Sequence, residues 1–104
     1  MALDITVIQT AARAERIPWR YHALLRVQER GITRAQAIRV LTEGEIIAQR
    51  PRAKPFPKCL LMWMQEDNQP LYVSVGDDAS HDRLYVITVG YPRKAGQLGV
   101  GQVR

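Results

Sequence analysis

Apolar residues change their spacing at Gly44, and that change divides the chain into a helical half and a stranded half. From Trp19 to Arg30 the spacing predicts a helix. Tyr21, Leu24, Val27 and Gln28 share one side, and His22, Arg26, Glu29 and Arg30 share the other. Pro18 fits the first turn of that helix, because proline lacks the N–H that a first turn leaves unpaired. Gly31 is expected to end it in the left-handed conformation. Thr33 then reads as an N-cap, with Gln36 completing a capping box. The following helix runs to about Glu43 on Ala37, Ile38, Val40 and Leu41, and Gly44 stops it. Residues 3–16 allow two readings. Leu3, Val7, Ala11 and Ala14 fall near helical spacing, whereas Ile5-Thr6-Val7-Ile8 fits a short strand.

Beyond Gly44 the period is two. Glu45–Gln49 is a β-branched strand candidate, and Pro51–Lys58 holds three prolines and cannot pair in a ladder. Cys59–Met64 is apolar on both faces, as a central and most buried strand would be. Asp67–Pro70 is a turn, and Leu71, Val73 and Val75 alternate with Tyr72 and Ser74 in a half-buried strand. Gly76–Asp82 reads as an acidic loop and Arg83–Tyr91 as the last strand, ended by Pro92. Helices followed by four strands joined mostly by tight turns predict an α+β fold, with N-terminal helices covering one face of an antiparallel sheet. Residues 1–92 form one domain in this reading, and 93–104, rich in Gly and Gln, a flexible tail.

Composition removes several function classes. At 104 residues the chain holds one core and has no room for separate cofactor and substrate domains. Its single cysteine cannot form an internal disulfide, which fits a reducing compartment, and cytoplasmic placement is expected. The longest apolar run is six residues, Cys59–Met64, far short of a membrane span. His22, His81 and Cys59 are too few and too scattered for a metal site, and no glycine-rich phosphate loop precedes a helix. No cofactor, metal or membrane partner is expected. Cys59 opens a buried strand, which argues against a catalytic thiol.

Charge is distributed unevenly. Residues 1–58 carry eleven Lys/Arg against five Asp/Glu, and residues 59–104 carry four against five. The excess is mostly arginine, which holds phosphate through planar paired contacts, so the basic half suits a polyanion. Within it, His22, Arg26 and Arg30 recur on one helix face. A histidine exchanges protons near neutral pH, and arginines hold a phosphate as charge builds on it. Those are ingredients of RNA cleavage without a metal. The plainer alternative is a solvated face on which Glu29 pairs with Arg26 or Arg30.

Several strings together carry a family resemblance. They are Tyr21-His22-Ala23, Arg26, Glu29-Arg30-Gly31-Ile32, Gly44-Glu45-Ile46-Ile47, Pro55-Phe56-Pro57-Lys58-Cys59-Leu60, Pro70-Leu71-Tyr72-Val73 and Ile87-Thr88-Val89. Over about residues 20–92 the chain resembles the small bacterial proteins of the DUF4258 family. That family is in turn similar to RelE/ParE- and BrnT-like toxins, with helices on a curved, barnase-like antiparallel sheet. The resemblance implies the toxin of a type II toxin–antitoxin pair, acting as a metal-independent endoribonuclease on free or ribosome-bound mRNA. A cognate antitoxin would neutralise it, and the arginine-rich half invites an acidic one.

Carried over position by position, His22, Arg26 and Tyr72 are the implied catalytic residues. Arg30, Lys58, Arg83 and Tyr91 are the implied substrate-binding residues, gathered around the sheet concavity. Two positions depart from the family pattern. Tyr72 stands where the family's strand histidine would be, and Gly90 is inserted before Tyr91-Pro92, read here as a β-bulge that re-aims Tyr91. The first departure favours a competing reading, a non-catalytic protein- or RNA-binding module of the same fold.

Overall fold

The computed structural model describes residues 3–78 and 83–91. Three helices, α1 (Ile5–Arg13), α2 (Tyr21–Arg30) and α3 (Arg34–Glu43), precede four strands. The strands are β1 (Glu45–Arg50), β2 (Lys58–Met64), β3 (Pro70–Asp78) and β4 (Arg83–Gly90). They pair antiparallel in the order β1-β2-β3-β4, so each strand lies beside its sequence neighbour in an open sheet. The fold is α+β, with the N-terminal helices packed on one face of the sheet. The tail, residues 93–104, lies outside the described residues.

Local chemistry sets the helix ends. Asp4 caps α1 by accepting from the Thr6 amide, which settles the N-terminal segment as helix rather than strand. Thr33 and Gln36 form the expected capping box on α3. Gly31 ends α2 at φ 66°, and the Ile32 amide reaches back to the Val27 carbonyl, which buries Ile32.

The core lies between helices and sheet. Ile8, Val40 and Leu41 meet Leu61, Leu71, Val73, Val75, Val86 and Val89, all wholly buried. Burying a side chain of this size stabilises by about 1.5–3 kcal/mol, so this layer is what the helices bind to. The chain start is tied to β1 as well, since the Gln49 side chain bonds both the amide and the carbonyl of Leu3.

Five sequence expectations are corrected. Pro18 does not begin a helix. Pro18–Arg20 runs extended and parallel to β4, with the Val86 amide donating to the Pro18 carbonyl and the Arg20 amide donating to the Val86 carbonyl. An unpaired strand edge outcompetes one extra helical turn. On α2 the inward residues are Ala23 and Val27, whereas Tyr21 and Leu24 are exposed. Small Ala23 lets the helix sit close on β4, and a bulkier side would hold it off. The stretch Gly76–Asp78 is strand rather than loop, paired with Arg83–Tyr85. Gly90 pairs directly with Tyr72, and the bulge lies instead at Ile87, between the Ser74–Thr88 and Val75–Val86 pairs. Finally, β2 is central but not the most buried strand, because Lys58 and Met64 emerge at its ends while β4 buries more of its length.

Cys59 is buried and reduced, and burial pushes its thiol up to about 12 from an ordinary value of 9.0. Raised in the fold, this pKa gives stability that is complete below pH 9 and lost as pH climbs toward 12. Native protein at pH 8 is therefore expected to resist a disulfide reagent such as Ellman's until denaturant is added. Fast native labelling would contradict that burial.

Candidate nucleic-acid interface

Cross-strand partners point to the same face of a sheet, so the register sorts every strand residue. Leu61, Val73, Val86 and Val89 face the helices. Lys58, Leu60, Met62, Tyr72, Ser74, Gly76, Arg83, Tyr85, Thr88 and Gly90 lie on the opposite face. That face has a hydroxyl-bearing middle, with Ser74 and Thr88 half-buried, and a different composition at each end.

At one end the phenol tip of Tyr85 lies against Gly76. A Cβ there would stand 2.7 Å from the ring, so the glycine provides the space for this contact. The Arg20 guanidinium sits 4.7 Å from the centre of the same ring, and Phe56 meets it edge-on at 6.0 Å. Lys58 pairs with Gly76, and Arg83 lies two residues from Tyr85 on the same face. By strand spacing the Lys58 and Arg83 backbones lie about 12 Å apart, and Arg20 joins the same end through its contact with Tyr85. Among the described residues Arg20, Lys58 and Arg83 have no carboxylate partner within salt-bridge distance, whereas Arg26 and Arg39 pair with Glu29 and Glu43.

At the other end Arg30 reaches from the last turn of α2 round the β4 edge. Its Nη1 donates to the Val89 carbonyl, and a Cβ on Gly90 would fall on that same nitrogen. Gly90 thus leaves a slot for the guanidinium beside Tyr72, its register partner. The inserted glycine that the sequence singled out has this purpose in the structure.

The remaining site residues are placed differently. The Arg26 Nε donates to His22 Nε2 at 3.2 Å, and its Nη1 contacts Glu29 at 3.2 Å. This exposed chain along α2 contains the ion pair that the plainer reading anticipated. At roughly 100° per residue, Arg30 lies about 60° round the helix from buried Val27 and His22 about 140°. His22 therefore looks outward, and lies about 12 Å along the axis from Arg30. Tyr91 packs against the core, on the face opposite Tyr72. The structure brings together Arg30 with Tyr72, and Lys58 with Arg83. It sets His22, Arg26 and Tyr91 apart from both pairs.

The sequence did not single out Arg20, Phe56 or Tyr85. One signal for them is present: a glycine inside a strand marks close approach, but Gly76 lies where the sequence predicts a loop. Among the described residues no three His, Cys, Asp or Glu side chains gather as metal ligands, and no helix is long and apolar enough to cross a membrane.

An α+β domain with helices on one face of its sheet and a basic, hydroxyl-bearing opposite face is the class this geometry defines. The chain belongs to the DUF4258 family, described as a domain of unknown function, whose model matches residues 19–91. No curated protein and no solved structure matches it significantly. The matched span begins at Trp19, so it takes in the edge segment, α2, α3 and all four strands, and leaves out α1.

Proposed function

We propose that the protein acts on RNA through the sheet face turned away from the helices, as the toxin of a toxin–antitoxin pair that cleaves RNA without a metal. One observation carries this reading. Three cations, Arg20, Lys58 and Arg83, none with a carboxylate partner among the described residues, are gathered at one end of a face whose middle bears hydroxyls. Cations gathered on one face attract the phosphates of a strand laid across it, and hydroxyls accept from and donate to ribose and bases. In this reading the 2′-hydroxyl attacks its neighbouring phosphorus and loses its proton to solvent. The bond to the 5′-oxygen breaks with Tyr72 giving that oxygen its proton, and the Arg30 charge beside Tyr72 steadies the phosphate as it gains charge. An acidic antitoxin would cover the same face and compete with RNA for it. RNA of this kind and such an antitoxin place the protein in the cytoplasm.

A second reading follows from the position of His22, which looks outward at the far end of α2 from Tyr72. Without a histidine beside the tyrosine, the same face is suited to holding RNA, as a non-catalytic module would.

Both readings require binding. A labelled single strand of about 10 ribonucleotides is expected to bind, with log K falling against log salt at a slope near −2, as about three phosphate contacts give. Cleavage of that strand in EDTA, with growth arrest on induction in a bacterium, supports the toxin; binding without cleavage supports the module. No binding at low salt overturns both.

A further inference from the structure

The Tyr85 end of the sheet face is concave. A hollow of about 260 Å³ opens there, lined by Trp19, Arg20, Phe56, Asp78, Arg83 and Tyr85. Ligand pockets for drug-sized molecules start near 300 Å³, so this one is scaled to a single base with its sugar phosphate. Its construction is layered. Gly76 supplies a bare patch of sheet, Tyr85 lies on that patch, and the Arg20 guanidinium lies on Tyr85. The backbone of Arg20 is itself fixed, because its amide donates to the Val86 carbonyl at 3.0 Å. A guanidinium held over a ring in this way is a planar cation at the mouth of the hollow, and bases stack on such planes as they do on aromatic rings.

We propose that this hollow is a nucleotide subsite: one base of a bound RNA strand enters it, stacking on the Arg20–Tyr85 layer and against Phe56, while its phosphate bridges Arg20 and Arg83. The inference rests on the RNA reading above and adds to it where a base is gripped. Phosphate contacts alone hold any polyanion, whereas a stacking hollow requires bases. Asp78, the register partner of Arg83, lines the same hollow, so the phosphate takes the side of the two arginines away from that carboxylate. The subsite lies at the opposite end of the sheet face from Tyr72 and Arg30, so base gripping and the candidate cleavage groups occupy separate ends of one strand's path.

Fluorescence of Trp19 reports on the hollow directly, because Trp63→Phe leaves it as the only tryptophan. In that background the test compares a strand of about 10 ribonucleotides with an abasic ribose–phosphate chain of equal length. The base-bearing strand is expected to quench Trp19 and to bind at least about tenfold tighter than the abasic chain. Arg20→Met and Arg83→Met, whose side chains emerge at the surface, should each remove the quench and weaken binding about fivefold or more. Arg13→Met, on α1, should do neither, and circular dichroism should match for all three. Equal binding of both chains without quenching overturns the subsite and leaves the RNA reading standing. If the strand does not bind, adenosine 5′-monophosphate decides: quenching that needs Arg20 and Arg83 supports the subsite while the RNA reading falls, and absence of quenching overturns both.

Discussion

Gly44→Ala is expected to destabilise the fold by about 3 kcal/mol or more, the upper range for forcing atoms into packed space. The reason is room rather than backbone freedom. At φ −80° and ψ −175° Gly44 is extended, a conformation any residue adopts. A Cβ there would stand 2.5 Å from the Val40 carbonyl oxygen and 2.7 Å from that of Met62. Both atoms are main chain, one at the end of α3 and the other in β2, so neither can swing aside. The junction where helix turns into sheet would have to open. Gly31→Ala is the matched comparison, because Gly31 needs φ +66° yet has nothing within 4 Å of an added Cβ. Its expected cost is the left-handed penalty alone, about 1–2 kcal/mol. Urea unfolding of the two variants checks the order, and a greater loss at Gly31 would show that space at Gly44 is not limiting.

What the sequence revealed of this fold is what neighbouring residues settle among themselves. The capping box of Thr33 and Gln36, the αL ending at Gly31 and the shift of period at Gly44 all depend on partners within a few positions. Each appears as read. Pro18–Arg20 illustrates the opposite case. The proline favours a helical start, but β4, more than sixty positions away, offers an open edge, and pairing with Val86 wins. The orientation of α2 fails for a related reason. Leu24, Leu25, Ala23 and Val27 leave apolar groups on more than one side, and only the close approach of β4 selects Ala23 and Val27.

The candidate site divides along the same line. Tyr72 and Arg83 lie on strands that the alternation predicts, whereas Lys58, which the sequence places at the end of a loop, joins their face only by pairing with Gly76 and Arg50. Arg20 reaches that face only through the edge pairing of Pro18–Arg20, and Tyr85 finds room there only because Gly76, its register partner on β3, has no side chain. Arg30 looked like a member of a three-residue helix stripe with His22 and Arg26. The helical advance carries the stripe round the axis, so its two ends face different surroundings. A repeat of four residues per step drifts about 40° each time, and over two steps that drift separates a sheet-edge residue from an outward one.

That drift leads to the sharper functional expectation. If the protein cleaves RNA, Tyr72→Phe should slow cleavage about 10²-fold, the scale at which a positioned proton donor contributes, while RNA affinity stays within a factor of about two to three. The variant removes one hydroxyl and keeps the ring against the same neighbours, so a loss confined to the rate identifies proton transfer rather than binding. His22→Ala should change the rate by less than about threefold, because a group must come within hydrogen-bond reach of the proton it moves, and His22 looks outward about 12 Å along α2 from the level of Tyr72. Single-turnover cleavage with enzyme in excess separates the rate from affinity for both variants. A large loss in His22→Ala with little in Tyr72→Phe would move the chemistry to the outer face of α2, where the Arg26 Nε already bonds the imidazole at 3.2 Å. Loss in both would require α2 and the sheet to come together around bound RNA. An untouched rate in both, with binding intact, would identify the hydroxyl face as a surface that holds RNA and leaves it whole.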